Sequence, residues 1–387
     1  MRTIHHYDRH YIQYLHTLKG KVVASLTLRQ FVSSMSVFFI PAFLYSYGYS
    51  LQFIAFYYVV LYFAGFLSYK LPRRIISRKG LYHCLFISYI FLAINNALLS
   101  LGQEAVFFVI LSIPTTIIAQ KCYWPARHID VASIFDSARM TRSTSAINTI
   151  SMFAKTLAPV LGGLLAAQFG PSVTLMFSFL IMLFAIFVLK SEYEVETGEP
   201  VKETFAIKKY FKPMIANAAW NFQATASFFM WPLFIFFVLK DFGEIGLIIT
   251  ATTAVGMLIT YASGHWAQKF PYFSLGLIVN ALSFPLRAIS NSLLTVTFAD
   301  SVGAVGRSLY SSRYISEYYR GAKQSGDIDS FVFSLERAGD LGKLVSWGML
   351  LSLTLLGFAD KSSLMIIFIA SSFMAILMPL IFSHKNK

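Results

Sequence analysis

Long apolar runs recur along the whole chain and are separated by short polar segments. Many of them reach about 20 residues, the length that a helix needs to cross roughly 30 Å of hydrocarbon. Only 13% of the 387 residues are charged, whereas 56% are hydrophobic, so the chain has too little charge to cover the surface of a soluble protein. The sequence therefore predicts an all-α polytopic membrane protein of about twelve spans. The predicted spans are 23–47, 51–69, 81–100, 104–121, 144–169, 172–190, 213–239, 244–266, 272–289, 291–311, 331–358 and 362–383.

Lysine and arginine residues are concentrated in every second loop. Of the 32 such residues, Lys240 and Lys361 fall in the opposite set of loops and five fall within spans. Because basic loops stay in the cytoplasm, this asymmetry predicts an even number of spans, with both chain ends in the cytoplasm. Contacts between these loops and membrane lipids account for the net charge of +14 without a nucleic-acid partner. We expect a cytoplasmic (plasma) membrane, and a prokaryotic one.

The chain also contains an internal repeat. The loops after the second and eighth spans both read glycine, two residues, a small residue, a polar residue and lysine. Further matches follow in the same order at offsets near half the chain, and they predict two pseudo-symmetric six-helix bundles of the same orientation. The bundles are expected at 1–190 and 213–387, joined by a charged linker at 191–212. The matched pairs are Gly65–Lys70 with Gly264–Lys269, Arg127 with Arg313, Lys155 with Lys343, and Leu175-Met176 with Leu364-Met365.

These segments resemble the major facilitator superfamily of transporters. That family's loop after the second span reads Gly-x-Leu-Ala-Asp-Arg-x-Gly-Arg-Arg. This chain departs from it at Tyr69, which replaces the Asp of a latch that holds the outward-open state, and at Pro72. The segment 158–163 resembles the Gly-Pro-x-x-Gly-Gly segment of the family's proton-coupled exporters. The resemblance implies a gating role for Gly65, Lys70, Arg73, Arg74, Gly264, Lys269, Pro159, Gly162 and Gly163.

Three cations fall within predicted spans that the resemblance places around a central cavity. Burying such a side chain in the bilayer costs about 2.5–3.5 kcal/mol on insertion scales, so these residues indicate a polar pathway. Lys155 and Lys343 are repeat-related and are expected to face one another, and Arg29 adds a third cation beside Gln30. The set predicts a basic cavity that favours an anionic substrate.

Two aspartates are candidates for coupling to a proton. Asp300 lies deep in the tenth span, and the alternative for it is a structural salt bridge to Arg287 or Arg307. Asp340 lies in the eleventh span with Glu336, Arg337 and Lys343 on one helix face, where the spacings allow an intrahelical ion network. The alternative for that face is an interfacial helix end whose charges reach out to water.

The seventh span carries four polar or amphipathic residues within seven positions: Asn217, Trp220, Asn221 and Gln223. Asn217 and Asn221 are four residues apart and share a helix face. With Trp220 they predict a wall suited to a ligand. Alternatively, the amides bridge helices.

The resemblance implies a secondary active transporter that moves a small solute by alternating access and is coupled to an ion, for which a proton is the candidate. We expect a monomer and no cofactor or metal. A proton-coupled exporter of lipophilic compounds and a non-transporting membrane sensor are the alternatives. An enzyme is not expected, because the sequence has no zinc, phosphate-binding or nucleophile motif; its nearest approach, His128 with Asp130, is expected in a polar loop.

Overall fold

The computed structural model consists of helices joined by short turns. It describes residues 18–134, 140–190, 206–263 and 270–386, apart from the side chains of 18–23, 133–134, 140–152, 155, 190, 261–263, 270–271 and 384–386. The helices are α1 (Leu18–Met35), α2 (Ile40–Ser46), α3 (Leu51–Leu67), α4 (Lys70–Lys79), α5 (Leu81–Ser100), α6 (Val106–Ile134), α7 (Met140–Phe169), α8 (Pro171–Lys190), α9 (Ile207–Thr225), α10 (Trp231–Leu239), α11 (Phe242–Ser263), α12 (Phe270–Ala288), α13 (Leu293–Gln324), α14 (Ile328–Leu355) and α15 (Asp360–Met374).

Each predicted span coincides with one helix or with two consecutive helical segments. The first span is α1 and α2 with the 3-10 turn Val37–Phe39 between them, and the seventh is α9 and α10 with the π turn Ala226–Met230. In the described part of the chain, seven helical stretches are long and apolar enough to cross a membrane, and α3 with α4, bent by 47°, makes an eighth. The all-α polytopic fold is confirmed, and the total of twelve spans stays a prediction.

Two helices extend well past the predicted ends of their spans. Helix α6 continues to Ile134 and α13 to Gln324, whereas the predicted spans end at 121 and 311 and loops are expected beyond them. At 1.5 Å per residue both exceed 40 Å, more than the roughly 30 Å of hydrocarbon. The loop expectation is therefore wrong, because hydropathy falls where polar residues begin although the helix goes on. Helix α9 likewise begins at Ile207, inside the predicted linker.

We divide the helices at the predicted linker into two halves, α1–α8 (the N-terminal half) and α9–α15 with the 3-10 segment Ala375–Asn386 (the C-terminal half). The two six-helix bundles stay a prediction. Within the N-terminal half α5 packs against α6 and α8, and within the C-terminal half α12 packs against α13. The halves meet mainly where α7 packs against α11 and α3 against α14, and α6 also contacts α13 and α14. Functional side chains on α3, α6 and α14 are therefore brought to a shared surface.

Small residues allow α7 and α11 to cross at very short distance. A Cβ atom placed on Gly246 would stand 3.1 Å from the Cα of Gly163, and it would collide with the carbonyl oxygen of Pro159. Pro159 and Gly163 of the predicted gating segment thus lie where the two halves touch. Gly162 faces the other way and packs against the backbone of Met35 on α1.

Candidate functional site

A buried ion pair joins the two halves between α6 and α14. Lys121 donates a hydrogen bond from Nζ to Oδ2 of Asp340, and both side chains are less than 5% exposed. Lys343 lies one turn along α14, with its Nζ 3.7 Å from Oδ1 of Asp340. The carboxylate of Asp340 is therefore held by two lysines, one from each half.

A second polar link lies next to this pair, towards the end of the molecule that carries the basic loops (the basic side). His128 on α6 has its Nδ1 2.9 Å from the hydroxyl of Tyr319 on α13. Its other ring nitrogen, Nε2, is 3.5 Å from Oε1 of Glu336 on α14. The ring therefore connects the N-terminal half to two helices of the C-terminal half. The expectation that His128 lies in a polar loop is wrong, because α6 continues through this position.

Helical spacing explains why these groups meet. Lys121 and His128 are seven residues apart, which is two helical turns, so both side chains point to one side of α6. Glu336, Asp340 and Lys343 occupy one face of α14 for the same reason. The helices run antiparallel, so Lys121 meets Asp340 while His128 meets Glu336. We call Lys121, His128, Tyr319, Glu336, Asp340 and Lys343 the cross-half cluster.

The loop motif after α3 packs directly onto this cluster. A Cβ atom on Gly65 would stand 2.8 Å from Cε of Lys121 and 3.9 Å from Oδ2 of Asp340. Tyr69, at the position where the resembling family has Asp, is buried, and its hydroxyl accepts a hydrogen bond of 3.3 Å from Lys121. Lys70 and Arg74 are exposed, and Arg73 is half-buried. The glycine and the tyrosine, rather than the outer basic residues, therefore shape the contact between the halves.

Arg29 is buried inside the N-terminal half. Its guanidinium donates to Oγ of Ser88 at 2.9 Å and to the carbonyl oxygen of Ala119 at 3.4 Å. It also lies 3.5 Å from the centre of the Tyr123 ring. Among the described residues, no carboxylate stands within 4.0 Å of it. The neighbouring Gln30 is also buried, and its Oε1 has no hydrogen-bond partner in the described part of the chain.

Asp300 is bound entirely within the C-terminal half. Arg287 donates from Nη2 to its Oδ1 at 2.7 Å, and Arg307 stands 3.9 Å from the same oxygen. Thr252 on α11 donates to Oδ2 at 2.6 Å. This geometry is the structural salt bridge that the sequence left open as an alternative.

The polar residues of α9 bond to different helices of the C-terminal half. Asn217 donates to the carbonyl oxygen of Leu335 on α14 at 2.7 Å, whereas Gln223 donates to that of Ser371 on α15 at 2.8 Å. Residues six apart on a helix point to well-separated directions, which explains the division. Asn221 donates to the carbonyl oxygen of Asn217, and Trp220 stacks on a tyrosine of α13. These contacts bridge helices, and a role in ligand binding stays a prediction.

Some predicted site residues lie outside the described residues. They are Gly264, Lys269 and the side chain of Lys155. The expected pairing of Lys155 with Lys343 across a cavity therefore stays a prediction. Conversely, sequence reasoning missed Lys121, because it was assigned to the end of a span. Its seven-residue spacing from His128, opposite three charges on α14, is the signal that identifies it.

Comparison with known proteins now places this architecture. No protein-family profile matches the sequence, and no curated protein matches it either. Among solved structures, the chain is similar to the human organic anion transporter MFSD10 (TETRAN), with a TM-score of 0.66 and 13% identity. The match covers 93% of this chain and 98% of that one. At this identity the likeness concerns the fold alone, so the chain shares the fold of that transporter.

Proposed function

We propose that this protein is a secondary active transporter that moves a small organic anion across a membrane by alternating access. The cross-half cluster is the observation that carries this proposal. Its ion pair joins α6 to α14, which belong to different halves. A solute can pass between two halves only if such contacts break and re-form, and a buried ion pair is a two-state contact of this kind.

Contacts between the halves also occur at the other end of the molecule, and they differ in chemistry. There Phe43 packs on Phe242 and Tyr45 on Phe237, with ring centres 5.1 and 4.7 Å apart. Tyr45 also donates to Asp360 at 3.4 Å. Alternating access requires that the halves separate at one end while they stay in contact at the other. In this chain the contact at one end is ionic and the contact at the other end is mostly aromatic.

The preference for an anion rests on Arg29. A buried guanidinium without a carboxylate partner among the described residues keeps its charge uncompensated, and an anionic ligand would neutralise it. Lys121 and Lys343 support the same preference, because an anion that reached them would compete with Asp340. Substrate binding and separation of the halves would then be linked. The function named for the solved relative, organic anion transport, agrees with this choice.

Melting of the purified protein against a ligand panel is the first test. A ligand that binds the folded state raises the melting temperature according to its affinity. We expect Lucifer yellow, benzoate and benzenesulfonate to stabilise the wild type but not Arg29→Gln. Lys361→Ala removes an exposed cation elsewhere and is the matched control. Lys155→Ala tests the predicted third cation.

Flux in proteoliposomes then distinguishes the alternatives. Lucifer yellow uptake that falls at least tenfold in Arg29→Gln supports anion transport. Efflux of the lipophilic cation rhodamine 6G without anion movement would favour the lipophilic exporter. That candidate has some structural support, since Phe38 stacks across the halves on Phe228 at 5.1 Å. Ligand stabilisation without any flux would favour a sensor.

A further inference from the structure

Four carboxylates packed among the described helices differ in the cations that hold them. Asp300 has two arginines within 4.0 Å, Asp340 has two lysines, and Glu317 has two arginines. Glu336 is the exception, because within the described ranges its ion-pair partner is the single imidazole of His128. Histidine, unlike arginine or lysine, has an ordinary pKa close to neutral pH, so a histidine–carboxylate pair can exchange a proton.

The geometry of His128 suits reversible protonation. One ring nitrogen faces the Tyr319 hydroxyl and the other faces the Glu336 carboxylate. Without an extra proton, the tyrosine hydroxyl donates to Nδ1, and the ring proton lies on Nε2, 3.5 Å from the carboxylate oxygen. An added proton is held by His128 and Glu336 together, as an imidazolium beside a carboxylate or as a neutral acid beside a neutral ring. In both states the two ring nitrogens of His128 face Tyr319 and Glu336.

We propose that His128 and Glu336 bind the coupling proton of transport, and that this proton is carried together with the anionic substrate. The proposal rests on the proposed function. The lysines and carboxylates of the cross-half cluster balance when His128 is neutral and Glu336 is ionised. One bound proton leaves the cluster with one net positive charge, and a substrate anion restores the balance.

Other titratable or charged groups surround the pair and do not change this assignment. The lysines and Asp340 are already paired with one another. Arg127 stays charged throughout, and the tyrosines supply hydroxyl groups without a charge. The groups that face Glu336 or His128 are Lys121 and Arg127 on α6, Tyr318 on α13, and Asp340 and Lys343 on α14, with Tyr69 before α4.

Binding of the proton should also control whether the two halves are in contact at the basic side of the molecule. With the proton bound, His128 and Glu336 form a neutral link across the halves. After the proton leaves, a half-buried carboxylate gains most from contact with water, and this favours separation of α6 from α14. Low pH is thus expected to close the basic side and high pH to open it. Because one proton is bound, the closed-to-open ratio changes by at most about tenfold per pH unit.

Spin-label distances across the basic side test this. The label sites are Lys79→Cys at the end of α4 and Gln324→Cys at the end of α13, both exposed, while the native Cys84 and Cys122 are buried. We expect the wild-type distance to lengthen between pH 5.5 and 8.5. Glu336→Gln, whose amide mimics the protonated acid, is expected to stay at the short distance at every pH.

Glu317→Gln is the matched control, because Glu317 is a buried glutamate on α13 that two arginines hold. It is expected to keep the pH response. His128→Gln is the second variant, should Glu336→Gln not fold, and it too is expected to abolish the response. A pH response that survives in Glu336→Gln or His128→Gln overturns the proposal.

The two proposals fail in different ways. If the distance ignores pH but Lucifer yellow still changes it, the proton site is refuted and anion transport stands. If the distance responds neither to pH nor to any anion that binds, alternating access through this cluster is refuted as well. If pH shifts the distance but Lucifer yellow uptake does not bring protons with it, the proton site is retained and co-transport is refuted.

Discussion

Asp300 and Asp340 are both buried aspartates of the C-terminal half, and each is held by two cations. For Asp300 both cations belong to the same half, on α12 and α13. For Asp340 one lysine lies on its own helix, and the other lies on α6 of the opposite half. The same chemistry therefore serves two purposes, since one pair holds a half together and the other holds the halves to each other.

This difference has a consequence for the proposed transport cycle. A pair within one half stays intact as that half moves as a body, so it adds equally to every state. A pair between halves exists only while they are in contact, so it stabilises one state relative to another. Loss of the first should lower stability, and loss of the second should shift a conformational equilibrium.

Asp300→Asn should have the largest effect. It leaves the fully buried Arg287 without its carboxylate, and an uncompensated buried charge costs about 3–5 kcal/mol. We expect a large fall in the melting temperature of the detergent-solubilised protein. The double variant Asp300→Leu with Arg287→Met should recover part of the loss, because it removes both charges. A single variant that melts like the wild type would show that this pair does not support the half.

Asp340→Asn should change conformation more than stability. Lys121 loses its partner only while the halves are closed, since it can meet water once they separate. We expect the closed state to lose about 2 kcal/mol, or roughly 30-fold in population. The Lys79–Gln324 label distance measures this. The double variant Lys121→Asp with Asp340→Lys exchanges the two charges and should restore part of the closed population. An unchanged label distance in Asp340→Asn would contradict the assigned role.

Two glycines offer a matched pair of smaller perturbations. A Cβ atom on Gly303 would stand 2.7 Å from Nη2 of Arg287, and one on Gly65 would stand 2.8 Å from Cε of Lys121. Each alanine variant crowds one ion pair, at a cost of about 1–2 kcal/mol. Gly303→Ala should lower the melting temperature and leave the label distance unchanged, because its ion pair is present in every conformation. Gly65→Ala should mainly lengthen the label distance. Equal effects of the two variants in both assays would remove the distinction between the pairs.

Lys70→Ala should have the smallest effect. The residue belongs to the loop motif, yet its side chain is exposed and lies outside the cross-half cluster. We expect less than about 0.5 kcal/mol in stability and an unchanged label distance. A shift as large as that of Gly65→Ala would show that the outer basic residues take part in closure.

The helices were largely predictable, and the polar sites were only partly so. Hydrophobic run length located the helices to within a few residues, except where α6 and α13 continue as polar helices and where α9 begins inside the predicted linker. Arg29, Asp300 and Asp340 were recognised because ionisable residues are rare at bilayer depth. Lys121 and His128 were not, because they lie beyond the apolar run, where a sequence does not tell a buried helix end from a loop.

The sequence pattern did not identify the ion-pair and hydrogen-bond partners of these side chains. Asp300 had two candidate arginines, and the helix packing brought both within 4.0 Å. Asp340 was expected to pair along its own helix, yet its hydrogen-bond donor is Lys121, more than 200 residues away. Asn217 and Gln223 lie on the same predicted span, and their bonds run to different helices.

Run length and the distribution of basic residues were sufficient to establish a polytopic helical bundle, because the bilayer requires every span to satisfy its own backbone and to be apolar along its length. These two features constrain each helix separately and do not specify which helices pack together. Which half an ion pair belongs to depends on how helices far apart in the chain pack together. That packing alone separates Asp300 from Asp340, and it places the half-buried Glu336 beside a histidine, whereas Asp300 has two arginines and Asp340 two lysines.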